Sequence, residues 1–192
     1  MTQKSNIERK TEIGSARWND EMYLKHPTPY RGIAGYIERQ RINSILKATR
    51  QHLPSTGGTI VELGCEAGNL LATLENSFPK AKFYGLDISE KALQQAKEKL
   101  RASVELQQAD ITQNIQWTAP SPNIIICSET LEHIPDCEAA IQSIYKLAGP
   151  DTVLIFTVPL EQLKNQIKSL LRWLGLFNLL FKGIEEGKSE WH

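Results

Sequence analysis

Short apolar runs alternate with helical patterns from residue 59 to residue 158, and no other feature of the sequence constrains the fold as strongly. The apolar runs are nearly continuous, which is typical of strands that are buried on both faces of a parallel sheet. The predicted strands are 59–63, 82–86, 104–108, 123–127 and 153–158, and the predicted helices are 33–53, 67–77, 89–101 and 136–147. With right-handed crossovers, this pattern predicts an α/β protein with a doubly wound parallel sheet of five strands in the order 3-2-1-4-5.

The size and charge of the chain limit the classes of function that need to be considered. A chain of 192 residues is large enough for one well-buried core, and its formal net charge is zero, which does not favour a nucleic-acid partner. Three cysteines without a paired spacing indicate a reducing, cytoplasmic setting. We predict a polar N-terminal segment (1–32), a central ligand-binding domain (33–159) and a helical lid or insert (160–192).

The segment 160–182 changes character, because it carries four basic residues and one acidic residue on a broadly apolar helical pattern. Its apolar core is too short to span a bilayer. One interpretation is a lid or dimer helix that packs on the sheet. The alternative is peripheral membrane contact, with Trp173, Phe177 and Phe181 at the level of the lipid headgroups. A homo-oligomer would form through this helix or through the edge of the fifth strand.

Glycines and carboxylates lie together where the predicted strands end, which is where ligands bind in an open parallel sheet. The first strand runs into the loop of VELGCEAGNL, which contains Gly64 and Gly68. Asp87 follows the second strand and Asp110 follows the third. Each feature alone is explained equally well by a turn or a helix cap. Their occurrence at successive strand ends predicts one shared ligand site.

Two acids in the first loop indicate the charge of the ligand. Glu62 and Glu66 would repel the pyrophosphate of a dinucleotide in a partly desolvated site. S-adenosylmethionine has no phosphate and carries an ammonium and a sulfonium, so acids attract it. The residues therefore favour a methyl donor over a nicotinamide dinucleotide.

The motifs VELGCEAGNL, GLDIS, QQADI and IIICSETLEHIPD closely resemble the successive motifs of class I S-adenosylmethionine-dependent methyltransferases, over about residues 55–160. The resemblance implies a Rossmann-like fold and S-adenosylmethionine as the cofactor. It implies that Glu62, Gly64 and Gly68 line the methionine part, and that Asp87 holds both ribose hydroxyls. It further implies that Asp110 contacts the adenine amino group, that Ile88 and Ile111 flank the ring, and that Cys127 offers its backbone carbonyl to the methionine amine. The family usually has glycine at the position of Glu66. Its members generally add two further strands, which this sequence does not show.

Two narrower resemblances concern Arg31 and the stretch from Glu129 to His133. Pro29-Tyr30-Arg31 resembles a stretch of ubiquinone-biosynthesis O-methyltransferases, whose arginine reaches the cofactor carboxylate. Those enzymes also carry Glu-x-x-Glu-His after the fourth strand. If Glu129, Glu132 and His133 share one helical face, they are candidate ligands of a divalent metal. Otherwise Glu132 and His133 form a general-base pair or a structural turn.

We therefore expect a methyltransferase that acts on a small-molecule acceptor, with oxygen as the methylated atom. One alternative is a methyltransferase-like binding module without turnover. The other is a metal-dependent RNA 2′-O-methyltransferase, because those enzymes resemble this chain in the same Glu-x-x-Glu-His signature and complete their metal site with a later histidine, for which His192 is the candidate. Neutral charge counts against the RNA alternative.

Overall fold

The computed structural model describes residues 15–17, 20 and 32–159 of the chain. Predictions for Arg31, for the segment 160–182 and for His192 lie outside the described residues. The chain divides into two compact units, of which the first (Met1–Pro27 and Asn43–Val158) contains the sheet. The second unit comprises Thr28–Ile42 and Pro159–His192, and its described part is the first half of one helix and Pro159. The predicted boundaries at residues 32 and 159 stay a prediction.

The described elements alternate along the chain as the sequence predicts. The helices are α1 (Gly32–His52), α2 (Asn69–Ser77), α3 (Glu90–Lys99) and α4 (Cys137–Leu147). The strands are β1 (Thr59–Leu63), β2 (Lys82–Asp87), β3 (Glu105–Gln108), β4 (Ile124–Ser128) and β5 (Val153–Thr157). All neighbouring strands pair in parallel, in the order β3-β2-β1-β4-β5. The predicted fold class and strand order are confirmed.

The core lies on both faces of the three inner strands β2, β1 and β4. On one face, a cluster of buried side chains joins the sheet to α4, with Val61, Leu63, Leu86, Ile125 and Cys127 from the strands and Ala140, Ile144 and Leu147 from the helix. On the other face, Gly85 leaves room for Leu71 of α2 and for the Cys65 sulfur, since a Cβ there would approach both within 2.8 Å. Burying these side chains holds β1 and β4 rigidly, and their C-terminal ends support the loops described below.

The outer strands differ from the expectation of strands buried on both faces. β3 is only partly buried along its length, and β5 alternates between half-buried and exposed residues. Leu154, Phe156 and Val158 are exposed, as are Ile141 and Tyr145 on α4. The physical reason is position, because each outer strand has one neighbour in the described sheet. An apolar sequence therefore did not predict burial at β5.

Helix α2 starts later than predicted, at Asn69 instead of residue 67. Gly68 precedes it in a left-handed conformation with φ of 71°, so Ala67 and Gly68 belong to the loop. Helix α3 ends at Lys99, two residues before the predicted end, and Ser89 caps its start by accepting from the Ala92 N–H, as the sequence predicts. The loop between β1 and α2 is therefore two residues longer than predicted, and it belongs to the ligand site that the sequence predicts.

Candidate functional site

The loop between β1 and α2 turns through three left-handed residues. Gly64, Glu66 and Gly68 have φ values of 73°, 46° and 71°. The N–H groups of Gly64 and Cys65 both donate to the Leu86 carbonyl, at 2.8 and 3.1 Å, which anchors the start of the loop on β2. A Cβ at Gly64 would overlap the side chain of Thr130. The loop therefore needs residues that tolerate positive φ, and glycine does so without a steric cost.

This geometry explains the position where the sequence departs from the family pattern. Glu66 is exposed and adopts a conformation that L-residues other than asparagine and aspartate rarely take. Its backbone N–H points to the end of β2 and donates to Asp87 Oδ2 at 2.8 Å. Glu66 thus follows the loop path that glycine would follow, at a cost in backbone strain of about 1 kcal/mol. The sequence indicated only the charge of this residue.

Asp87 is the best-organised carboxylate of the site. It is 8% exposed at the end of β2, and its two oxygens accept hydrogen bonds from two different loops. Oδ2 accepts from the Glu66 N–H, and Oδ1 accepts from the Ser89 N–H at 2.8 Å. Burial raises the pKa of Asp87 above its usual value, and the hydrogen bonds from Ser89 and Glu66 oppose that shift. The two oxygens together have about four acceptor positions, so acceptor capacity remains for a ligand hydroxyl beside the N–H groups of Glu66, Ser89 and Ile88.

Two more acids, Glu62 of β1 and Glu66 of the first loop, lie near the Cys65 thiol. Burial raises the pKa of Cys65, and the charges of Glu62, Asp87 and Glu66 raise it further. Glu62 is 4% exposed and lies near the C-terminal end of β1, two residues before Gly64. A raised pKa favours the neutral thiol of Cys65, which is a poor nucleophile. The structure thus brings together three of the acids that the sequence assigned to one site.

The third loop contains Asp110, which is half-buried after β3. Asp110 Oδ1 accepts from the backbone N–H and from the hydroxyl of Thr112, at 2.9 and 2.7 Å. These bonds form a local turn, which is the structural explanation that the sequence also allows for an acid at a strand end. They involve only one of the two Asp110 carboxylate oxygens. The predicted contact of Asp110 with adenine stays a prediction.

The two isoleucines that the resemblance assigns to the adenine ring differ in their surroundings. Ile88 is half-buried, and its carbonyl accepts from the Gln108 side-chain amide at 3.0 Å. Ile111 is 6% exposed and belongs to the core cluster below α4. Their predicted positions on either side of a ring remain untested.

Cys127 lies at the C-terminal half of β4 and pairs with Leu63 of β1 and Phe156 of β5. Its side chain is buried in the core cluster, and burial raises its pKa to about 12. The side chain therefore has a packing role, which is compatible with the predicted role of the backbone.

The stretch from Glu129 to His133 does not form the helical turn that the metal-ligand interpretation requires. Glu129 is left-handed, with φ of 54°, and its N–H donates to the Thr157 carbonyl of β5. Leu131–His133 form a single 3₁₀ turn. Because Glu129 lies outside that turn, the expectation that Glu129, Glu132 and His133 share one helical face is wrong. Within residues 15–17, 20 and 32–159, no three His, Cys, Asp or Glu side chains are grouped to hold a metal ion.

Glu132 and His133 remain neighbours in the turn after β4. His133 Nε2 lies 4.0 Å from Glu132 Oε1, and the imidazole is 53% exposed. The predicted roles of this pair as a base, or as ligands of a metal, stay predictions.

Three residues of the site were not predicted from the sequence. Thr130 fills the space above Gly64 and donates to the Leu63 and Ser128 carbonyls, at 3.3 and 3.1 Å. Lys99 extends from α3 to the Ala67 carbonyl at 2.9 Å and to the Asn69 side chain. Asp20 accepts a hydrogen bond from the Ser89 hydroxyl. All three act across long sequence separations, so no local pattern indicates them.

The fold and this loop constellation are those expected of the class that the sequence motifs resemble, the class I S-adenosylmethionine-dependent methyltransferases. A five-stranded parallel sheet in the order 3-2-1-4-5 ends in a left-handed glycine loop and a buried acid at the end of β2.

Comparison with known proteins agrees with this class. The sequence model of a family described as "Methyltransferase domain" matches residues 54–190. The chain therefore belongs to this methyltransferase family.

The chain is 33% identical over 145 residues to a trans-aconitate 2-methyltransferase of Variovorax paradoxus, which covers 74% of this chain and 50% of that protein. It is 29% identical over 144 residues to a ubiquinone biosynthesis O-methyltransferase of Coxiella burnetii, with 73% and 60% covered. The predicted resemblance to the ubiquinone enzymes is confirmed, and the similarity to the trans-aconitate enzymes was not predicted. The chain spans half to three fifths of the length of these curated relatives.

Among solved structures, the fold is similar to a putative S-adenosyl-L-methionine-dependent methyltransferase from Methanococcus maripaludis. The TM-score is 0.59 at 15% identity, with 93% of this chain and 80% of that chain covered. This similarity confirms the fold.

Proposed function

We propose that this chain binds S-adenosylmethionine and transfers its methyl group to an oxygen atom of a small-molecule acceptor. The observation that carries the proposal is the buried Asp87 carboxylate, which two backbone N–H groups hold beside the glycine loop. A buried acceptor pair fixed in this way suits two neighbouring hydroxyls, as ribose presents them.

The charges of the described residues fit a cationic ligand better than a phosphate. Glu62, Glu66 and Asp87 lie close enough to act together on the Cys65 thiol. The nearby ammonium of Lys99 already binds the Ala67 carbonyl and Asn69, so its charge is directed at the backbone of the loop. Carboxylates at this position favour an ammonium and a sulfonium and oppose a pyrophosphate.

S-adenosylmethionine, when bound, supplies a methyl group on a positively charged sulfur. The protein then has to align the acceptor oxygen with that group and exclude water. Asp87 would orient the donor through its ribose, and the turn made by Gly64 would bring the backbone close to its methionine part. His133 is proposed to take the proton of the acceptor hydroxyl, with Glu132 stabilising the imidazolium that forms.

Calorimetric titration with S-adenosylhomocysteine tests the cofactor site. We expect the native chain to bind S-adenosylhomocysteine. Asp87→Ala should lose at least about tenfold in affinity, because the two charge-assisted hydrogen bonds from the ribose hydroxyls to the carboxylate disappear. Asp151→Ala is the matched control, since Asp151 is exposed before β5 and should leave affinity unchanged. An absence of binding to the native chain would refute the proposal.

A transfer assay with labelled methyl donor tests the acceptor class. Trans-aconitate and a set of small phenols and alcohols are suitable first acceptors, because the two groups of relatives are named for trans-aconitate and for O-methylation. Cofactor binding without transfer to any acceptor would favour the binding-module alternative. Transfer to RNA alone, abolished by a chelator, would favour the RNA 2′-O-methyltransferase alternative.

Two further proposals concern partners. The exposed apolar residues Leu154, Phe156 and Val158 support association of two copies along β5. Peripheral membrane contact through residues 160–182 is the alternative use of the apolar segment that the sequence indicates. No helix within the described ranges is long and apolar enough to cross a bilayer.

A further inference from the structure

Asp20 connects the N-terminal part of the chain to the loop after β2. It lies 69 residues upstream of Ser89, yet its carboxylate accepts a hydrogen bond from the Ser89 hydroxyl. The Asp20 side chain is half-buried. A long-range hydrogen bond to a carboxylate is charge-assisted, so the contact is stronger than one between neutral groups.

Ser89 also contacts Asp87, the acid of the proposed donor site. Its backbone N–H donates to Asp87 Oδ1 at 2.8 Å, and its hydroxyl oxygen accepts from the Ala92 N–H at 3.1 Å. Ser89 is 2% exposed, so the hydroxyl has little access to water as an alternative partner. Asp20 and Asp87 therefore both bind Ser89, Asp20 through the Ser89 hydroxyl and Asp87 through the Ser89 N–H.

The two carboxylates also interact through their charges. Burial is the main cause of the raised pKa of Asp87, and the charge of Asp20 adds to it. The negative charge of Asp20 repels the ionised Asp87 carboxylate and makes its ionised form less stable. A ligand that carries positive charge recovers that cost when it binds, whereas a neutral ligand does not.

Donor and product of a methyl transfer differ in this property. S-adenosylmethionine has a sulfonium, and the sulfur of S-adenosylhomocysteine is neutral after the methyl group has left. We propose that Asp20 is a specificity residue of the donor site, whose charge favours the sulfonium donor over the neutral-sulfur product. This inference rests on the proposed function of the Asp87 site.

The expected size of the effect is modest. If about 10 Å separates the Asp20 carboxylate from the sulfonium, two unit charges in a medium with an effective dielectric constant of about 40–80 change the affinity about two- to fourfold. Removal of the Asp20 charge should therefore weaken donor binding by about that factor. Because the effect is electrostatic, it should decrease when salt is added.

Paired calorimetric titrations of the full chain with S-adenosylmethionine and with S-adenosylhomocysteine test the inference. We expect Asp20→Asn to weaken the donor about two- to fourfold and to change the product by less than about 1.5-fold. Asp20→Glu keeps the charge and should restore most of the preference. Asp151→Asn removes an exposed acid before β5 and should change neither affinity.

The outcomes separate the inference from the function on which it rests. If Asp20→Asn weakens both ligands equally, Asp20 has only a structural role and the inference is wrong. If the variant binds both ligands as the native chain does, the inference is also wrong, while the proposed function stands. If the native chain binds neither ligand, both fail together.

Discussion

Replacing Gly64 by alanine probes the strained turn on which the site depends. Alanine at this position has to adopt φ of 73°, which costs about 1–2 kcal/mol. Its Cβ would also overlap Oγ1 and Cγ2 of Thr130, and overpacking of this kind costs about 1–3 kcal/mol. We therefore expect Gly64→Ala to lower the free energy of unfolding by about 2–5 kcal/mol.

The two causes can be separated in a double-mutant cycle with Thr130→Ala. This second substitution alone removes a hydroxyl that donates to the Leu63 and Ser128 carbonyls, and should cost about 0.5–1.5 kcal/mol. In the double variant the two closest overlaps, with Oγ1 and Cγ2 of Thr130, disappear, so the backbone strain and a tight contact of 3.0 Å with the Cβ of residue 130 remain. The double variant should therefore be about 1–3 kcal/mol more stable than the sum of the single changes predicts.

Urea unfolding of the four proteins, followed by circular dichroism, measures this coupling. The control pairs Gly64→Ala with Thr73→Ala, because Thr73 is in α2 and its hydroxyl donates to the Asn69 carbonyl at 3.1 Å, away from Gly64. The control pair should be additive within about 0.5 kcal/mol. If Gly64→Ala and Thr130→Ala are equally additive, the close approach of these two residues is not what requires glycine.

Three further predictions follow from the site and from the sheet edge. Glu66→Gly keeps the N–H that binds Asp87 and relieves backbone strain, so affinity for S-adenosylhomocysteine should stay the same or increase; a loss above about threefold in calorimetry would show that the side chain itself contributes. Burial raises the pKa of Asp87, so this group favours folding as the pH falls through its folded pKa, but ligand binding needs the ionised form. As the pH falls, the affinity for S-adenosylhomocysteine should therefore begin to weaken at a higher pH than protonation of an ordinary aspartate would cause, and a profile that Asp87→Asn leaves unchanged would contradict this. Phe156 is 42% exposed on β5, and Phe156→Ser should convert a dimer into a monomer in sedimentation velocity; a native monomer would refute association through this strand.

The sequence predicted the sheet almost completely because its signals there are local and repeated. Each apolar run marks a strand, and glycine and acid residues mark the strand ends, so the order and the site loops could be placed together. The start of α2 was misplaced because the left-handed conformation of Gly68 ends the loop, and residue identity alone does not indicate which glycine adopts it.

The parts that the sequence could not predict depend on long-range contacts. Glu129 to His133 has helical spacing, but the hydrogen bond from Glu129 to Thr157 of β5 holds a different conformation. Asp20 has no pattern around it that indicates a contact with Ser89. For Glu66, charge was visible in the sequence, whereas the positive φ that explains its relation to glycine is a property of the folded loop.

A crystal structure of the chain with S-adenosylhomocysteine tests the central claim most directly. The account predicts that both ribose hydroxyls lie within about 3.2 Å of the Asp87 carboxylate oxygens, with the hydrogen bonds from Glu66 and Ser89 retained. A ligand bound elsewhere, or bound here with its ribose directed away from Asp87, would contradict it.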